Sequence, residues 1–213
     1  MKTYFDYVNV IEPKIFTICG IQLKPFSLGH YLLLEKLQNP FLTDNPNFQI
    51  DLVNGIYNFY FALIICGHSY EENVELLNNE KELKRICNKI SKHIIKVSKK
   101  EKGWNIWEKI VMFKQYIRYF SDIPNFTIEN QSNSAASGID WKQNLFTIAK
   151  SEWGYTDTEI LNMPLSRLFY EWCSFAEKNG SIHVLNHDEM EQVESIRQEK
   201  LNASLQNNDD IVL

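Results

Sequence analysis

Apolar residues along this chain recur mainly at three- and four-residue intervals, the period of helices that bury one face. Leu28, Tyr31, Leu32, Leu34 and Leu37 make the first such stripe. Ser27 before it offers a capping hydroxyl, and Asn39-Pro40 ends it, because the residue ahead of a proline is pushed out of the helical region. The apolar run from Asp51 to Cys66 predicts a buried helix with Gly67 at its C-terminal end, and Glu71 to Asn79 a short acidic one. Lys81 to Lys100 sets Leu83, Ile86, Cys87, Ile90, Ile94 and Val97 on one face and lysines on the other. A further stripe, Trp104, Trp107, Ile110, Val111, Phe113, Ile117 and Phe120, follows Gly103 and stops at Pro124. A period of two appears in Lys14 to Pro25, broken by Gly20, which predicts a short β-hairpin.

Residues from Trp141 onward read as a helical module. Thr156 and Glu159 have the spacing of a capping box, each side chain satisfying a backbone N–H of the other at a helix start. Pro164 begins the next helix and Gly180 ends it. Asn186 to Gln206 predicts an acidic, weakly amphipathic helix, and 207–213 a frayed tail. The stretch 130–138, Asn-Gln-Ser-Asn-Ser-Ala-Ala-Ser-Gly, has no large apolar group to offset the entropy of ordering and predicts a mobile boundary. The expected architecture is mainly α, a multi-helix bundle with a short N-terminal β-hairpin and a C-terminal helical module. Its expected parts are a hairpin plus helical domain over 1–123, a flexible linker over 124–140, the helical module over 141–206 and the tail.

Composition narrows the function classes. With 213 residues, 44% hydrophobic and 23% charged, the chain can build a substantial core, and 13 Phe and 10 Tyr make that core largely aromatic. A net charge of −5 argues against a chain that coats nucleic acid, although a local basic patch is compatible with it. Cys19, Cys66, Cys87 and Cys173 are far apart without a C-x-x-C spacing, which points to free thiols in a reducing cytoplasm. The opening residues lack the cationic and apolar pattern of a secretory leader, and the most apolar run, Ile56 to Cys66, is about half the roughly 20 residues of a membrane span.

The candidate chemistry is sparse. His183 and His187 are four apart, but Asn186 between them reads as a helix cap and no further ligand completes a metal site. Cys66-Gly67-His68 places a thiol near an imidazole, yet near neighbours in the chain rarely reach hydrogen-bond geometry, and a helix-ending glycine accounts for the triplet. No phosphate-cradling or dinucleotide glycine motif occurs. The sequence therefore predicts a non-enzymatic protein with no cofactor and no metal. Two surfaces remain: aromatic anchors, of which Trp153 beside Gly154 is the one expected to be partly exposed, and the cationic face from Lys81 to Lys102, where Lys84, Arg85, Lys89, Lys92 and Lys96 are the residues that would contact nucleic acid.

Two stretches resemble a known family. Ile18-Cys19-Gly20-Ile21-Gln22-Leu23-Lys24-Pro25-Phe26-Ser27-Leu28-Gly29 resembles the start of tail-assembly chaperones and small tail morphogenesis proteins of tailed bacteriophages, in which a strand pair leads through L-R-P-L-T-L-G into a helix. Leu145-Phe146-x-x-Ala149, Trp153-Gly154-Tyr155-Thr156, Glu159-Ile160-Leu161-x-Met163-Pro164-Leu165 and Gly180 are similar to a helical segment near the end of many such proteins. Together they touch about a quarter of the chain, and Phe48 to Asp122 lies outside both. The resemblance implies a protein that binds an aggregation-prone tail component, the tape measure or the tail tube, in the host cytoplasm, with Trp153, Tyr155, Met163, Leu165 and Phe169 as contact residues. A structural protein of the virion tail or neck is the alternative it leaves open, and homo-oligomerisation is compatible with either role.

Overall fold

The computed structural model describes residues 8–42, 52–100, 106–129 and 138–209. A short helix, α1 (Val8–Ile11), leads into the hairpin of β1 (Phe16–Ile18) and β2 (Ile21–Leu23). Phe16 stands opposite Leu23 and Ile18 opposite Ile21. Its two turn residues, Cys19 and Gly20, both have positive φ (52° and 76°), the backbone twist that suits tight hairpins. Then follow α2 (Leu28–Lys36), a 3₁₀ turn at Pro40–Leu42, α3 (Leu52–Gly67), α4 (Tyr70–Asn78), α5 (Glu80–Lys100) and α6 (Ile106–Phe120). The C-terminal part adds β3 (Phe126–Ile128), α7 (Trp141–Ser151), α8 (Asp157–Asn162), α9 (Leu165–Lys178), β4 (Ile182–Val184) and α10 (His187–Asp209). The chain is mainly helical and carries the N-terminal hairpin that the sequence predicts.

Local chemistry explains most helix starts. Ser27, Ser69 and Thr156 each accept from the backbone three residues on and are repaid by that residue's side chain, giving α2, α4 and α8 reciprocal caps. In α2 the reciprocating side chain is His30, buried at 2% exposure. Its Nδ1 accepts from Ser27 N–H (3.2 Å) and its Nε2 donates to the His68 carbonyl at the end of α3 (2.7 Å). That arrangement selects the neutral ring, and burial pushes the imidazole down to about 4. Asn186 and Glu189 cap α10 in the same reciprocal way (2.8 and 3.0 Å).

One core draws buried residues from both 1–123 and 141–206. Leu28 and Leu34 of α2, Phe59 and Leu63 of α3, and Phe113 and Tyr116 of α6 bury with Leu145, Ile160, Leu165 and Leu168 from α7 to α9. Leu165 N–H donates to the Phe26 carbonyl (2.9 Å), and Ser27 pairs with Pro164 in an isolated antiparallel bridge. The start of α9 is thereby sewn to the start of α2. Gly29 lets α2 approach α8 closely, since a Cβ there would sit 2.5 Å from the Leu161 carbonyl oxygen and 2.8 Å from the Tyr70 ring. Part of the expected linker is also built in: Phe126–Ile128 pairs antiparallel with Ile182–Val184, Phe126 opposite Val184, and Phe126 meets Trp172 edge-on at 5.7 Å. The polar stretch 130–137, the loop residues 43–48, Trp104 and the tail 210–213 lie outside the described residues. Among the described residues no helix is long and apolar enough to cross a membrane.

Candidate functional site

The outer face of α9 carries a shallow, open groove. Gly154, at φ +73°, ends α7 by turning the chain so that Tyr155 N–H returns to the Ala149 carbonyl (3.2 Å). This places Trp153 and Tyr155 side by side against α9, their rings 6.3 Å apart and edge-on, with Phe175 6.4 Å from Trp153. Tyr170, Glu171, Ser174 and Lys178 complete an open groove of about 410 Å³. The floor is held by polar ties: Tyr155 donates its hydroxyl proton to Glu171 (3.1 Å), and Arg167 Nε donates to the same carboxylate oxygen (3.0 Å). Burial and that carboxylate raise the Tyr155 phenol above its ordinary range, so it stays a neutral donor.

A second groove, about 380 Å³, lies on the other side of Tyr170 and Ser174 and reaches Pro124, Val184 and Met190. Cys173 lines it, but burial pushes this thiol up to about 12, which removes it as a nucleophile near neutral pH. His183 on β4 has its Nε2 3.0 Å from Glu189 and its Nδ1 3.7 Å from Glu177. The Glu189 hydrogen bond, then its charge, raises the imidazole above its ordinary value. This group ties β4 to the first turn of α10. Among the described residues no set of three or more His, Cys, Asp or Glu side chains is placed to hold a metal ion.

Residues expected from the sequence part company here. Trp153 and Tyr155 share the groove, both half-buried. Met163 (9% exposed) and Leu165 (1%) are core residues, a correction with a simple cause: Pro164 between them is bridged to Ser27, which turns both side chains inward. Phe169 belongs to a different cluster, 5.6 Å from Trp141, which in turn meets Tyr31 edge-on at 5.2 Å. Lys142 lies over the Tyr31 and Trp141 rings and bonds Glu35 (2.7 Å) and Asp140 (2.9 Å), so that aromatic corner already holds a cation of its own. Tyr170 and Phe175 escaped sequence reasoning. Their signal was present, because Tyr170, Glu171, Ser174, Phe175 and Lys178 fall on one arc of α9 at helical spacing.

On the cationic face, Lys84 pairs with Glu80 (2.6 Å) and Arg85 with Glu82 (3.2 Å), while Lys89 and Lys92 point into solvent. Lys96 lies on α5 with its side chain outside those described. Cys66 is fully buried with its thiol pushed up to about 12, and His68 Nδ1 donates to the Ile64 carbonyl (2.7 Å), so the Cys66-Gly67-His68 triplet is a helix end. No protein-family model matches this chain, and no curated protein or solved structure matches it either.

Proposed function

We propose that this protein acts by binding other proteins, taking an amphipathic helix of its partner into the groove walled by Trp153, Tyr155 and Phe175. The observation that carries the reading is the way the polar ends are tied down while the rings stay accessible. Glu171 engages Tyr155 and Arg167, leaving preorganised aromatic faces that lose little entropy when an apolar ridge docks. Aromatic anchors of this kind dominate binding hot spots. Together with the resemblance of 18–29 and 145–180 to phage tail-assembly chaperones, this supports a non-enzymatic tail-assembly factor that covers the apolar stripe of a tape-measure or tail-tube protein in the host cytoplasm. Retention in the tail or neck of the virion is the variant of this role that the same surface would serve.

Co-expression with tape-measure and tube proteins, followed by affinity capture, tests it. A complex is expected, and Trp153→Ala should weaken it by about 30-fold, the equivalent of roughly 2 kcal/mol for a hot-spot residue, with the circular dichroism spectrum unchanged. Failure of either tail protein to be retained would remove the reading.

A further inference from the structure

We propose that copies of this chain associate head to tail, the acidic face of α10 lying along the cationic face of α5 in a second copy. The inference rests on three features independent of the aromatic groove. First, α10 leaves the body: among its described residues from Glu191 to Glu199 all but Glu194 are exposed, and Val193 (46%) and Ile196 (52%) show apolar surface. A solitary helix of this kind is marginal in water, and most helical stability in proteins comes from packing an apolar face.

Second, the charges on the two helices match in sign and placement. Lys81, Lys84, Arg85, Lys89 and Lys92 fall within one arc of about 140° at 3.6 residues per turn. Asp188, Glu191, Glu194 and Glu199 fall within an arc of the same width on α10. Both rows run over the same number of residues, a length of about 16 Å at 1.5 Å per residue. A row of cations therefore meets a row of carboxylates of equal length.

Third, the cations are available. Lys81, Lys89 and Lys92 have no carboxylate partner among the described residues, and neither Glu194 nor Glu199 has a cationic one. The pairs that Lys84 and Arg85 make with Glu80 and Glu82 are exposed and so exchange at little cost. Joined head to tail, each copy uses one face towards each neighbour, so the contact is heterologous and generates rings or open filaments.

Sedimentation velocity of the full chain at low and high salt tests the proposal, since the screening length falls from about 30 Å at 0.01 M to about 3 Å at 1 M. The expected result is concentration-dependent association at low salt that reverts to monomer at high salt. Two charge-reversed chains sharpen it: Lys81→Glu with Lys89→Glu and Lys92→Glu, and Glu191→Lys with Glu194→Lys and Glu199→Lys. Each alone should associate about tenfold or more weakly, and an equimolar mixture should re-associate, because each supplies the face that the other has reversed. The proposal is overturned if the wild-type chain stays monomeric at low salt, if association survives in the α5 variant, or if the mixture stays apart. Loss of oligonucleotide binding in the α5 variant with self-association intact would likewise overturn it and give that face to nucleic acid.

Discussion

Replacing Gly29 by alanine isolates the closest approach in the fold. In an unpacked helix the change is favourable by about 1 kcal/mol, because glycine loses more backbone entropy on folding and alanine is the better helix former. Here the added methyl would sit 2.5 Å from the Leu161 carbonyl oxygen, 2.8 Å from Tyr70 Cδ2 and 3.1 Å from Tyr70 Cβ, whereas ordinary contact begins at 3.4 Å. The ring can swing aside, but the Leu161 oxygen is backbone of α8, and it would have to retreat by almost an ångström. Neighbouring ties resist that retreat. Asn162, the next residue, accepts from Tyr70 N–H (2.8 Å) and donates to the Glu71 carboxylate (2.8 Å). Overpacking of about 3 kcal/mol, the upper end of its usual range, less the propensity gain leaves a loss of about 2 kcal/mol. For a chain of this size that lowers the melting temperature by about 4–8 °C. Gly67→Ala is the internal control: its Cβ would meet only the end of the Ile21 side chain at 3.2 Å and the Gln22 carbonyl at 3.5 Å. Thermal and urea unfolding of both variants measure the difference. A Gly29→Ala protein as stable as wild type would refute the close packing of α2 on α8.

Other perturbations follow from the same contacts. His30 is held at about 4 by burial, against 6.5 ordinarily, so its contribution is complete above pH 6.5 and is lost as the pH falls from there through 4. The loss is of order 3 kcal/mol, and His30→Gln, which keeps the reciprocal cap without titrating, should flatten that acid limb in urea melts taken across the window. Asn162→Ala removes the partners of Tyr70 N–H and Glu71 and should cost about 1–3 kcal/mol, read as a lower urea midpoint; an unchanged midpoint would show that solvent replaces both bonds. Thr156→Ala should cost about 1 kcal/mol through the cap of α8, and a double variant with Glu159→Ala should cost little more, because the two side chains form one device.

Local signals in the chain carried their structures faithfully. Thr156 with Glu159, Ser27 ahead of Leu28 and Asn186 ahead of His187 all sit where capping chemistry puts them, since a cap depends on residues three or four apart. What stayed hidden depends on distant partners. The three residues Phe126–Ile128 become a strand only because Ile182–Val184 lies alongside, and so short a segment has no periodicity of its own. The Ser27 to Pro164 bridge ties the start of α9 to the start of α2 and draws Met163 and Leu165 inside. His30 as the reciprocating member of a cap was hidden for another reason, since that place is ordinarily filled by Glu or Gln. For the candidate groove, Trp153 and Tyr155 were legible from the glycine between them, while Tyr170 and Phe175 needed knowledge of which arc of α9 faces outward.

The stitch between Phe26 and Leu165 has a bearing on biogenesis. A nascent polypeptide leaving the ribosome exposes Phe26, Leu28 and Leu34 well before the helices that cover them exist. At about 5–20 residues per second that interval is on the order of ten seconds. Throughout it these side chains lack part of their cover, which only the last third of the chain supplies.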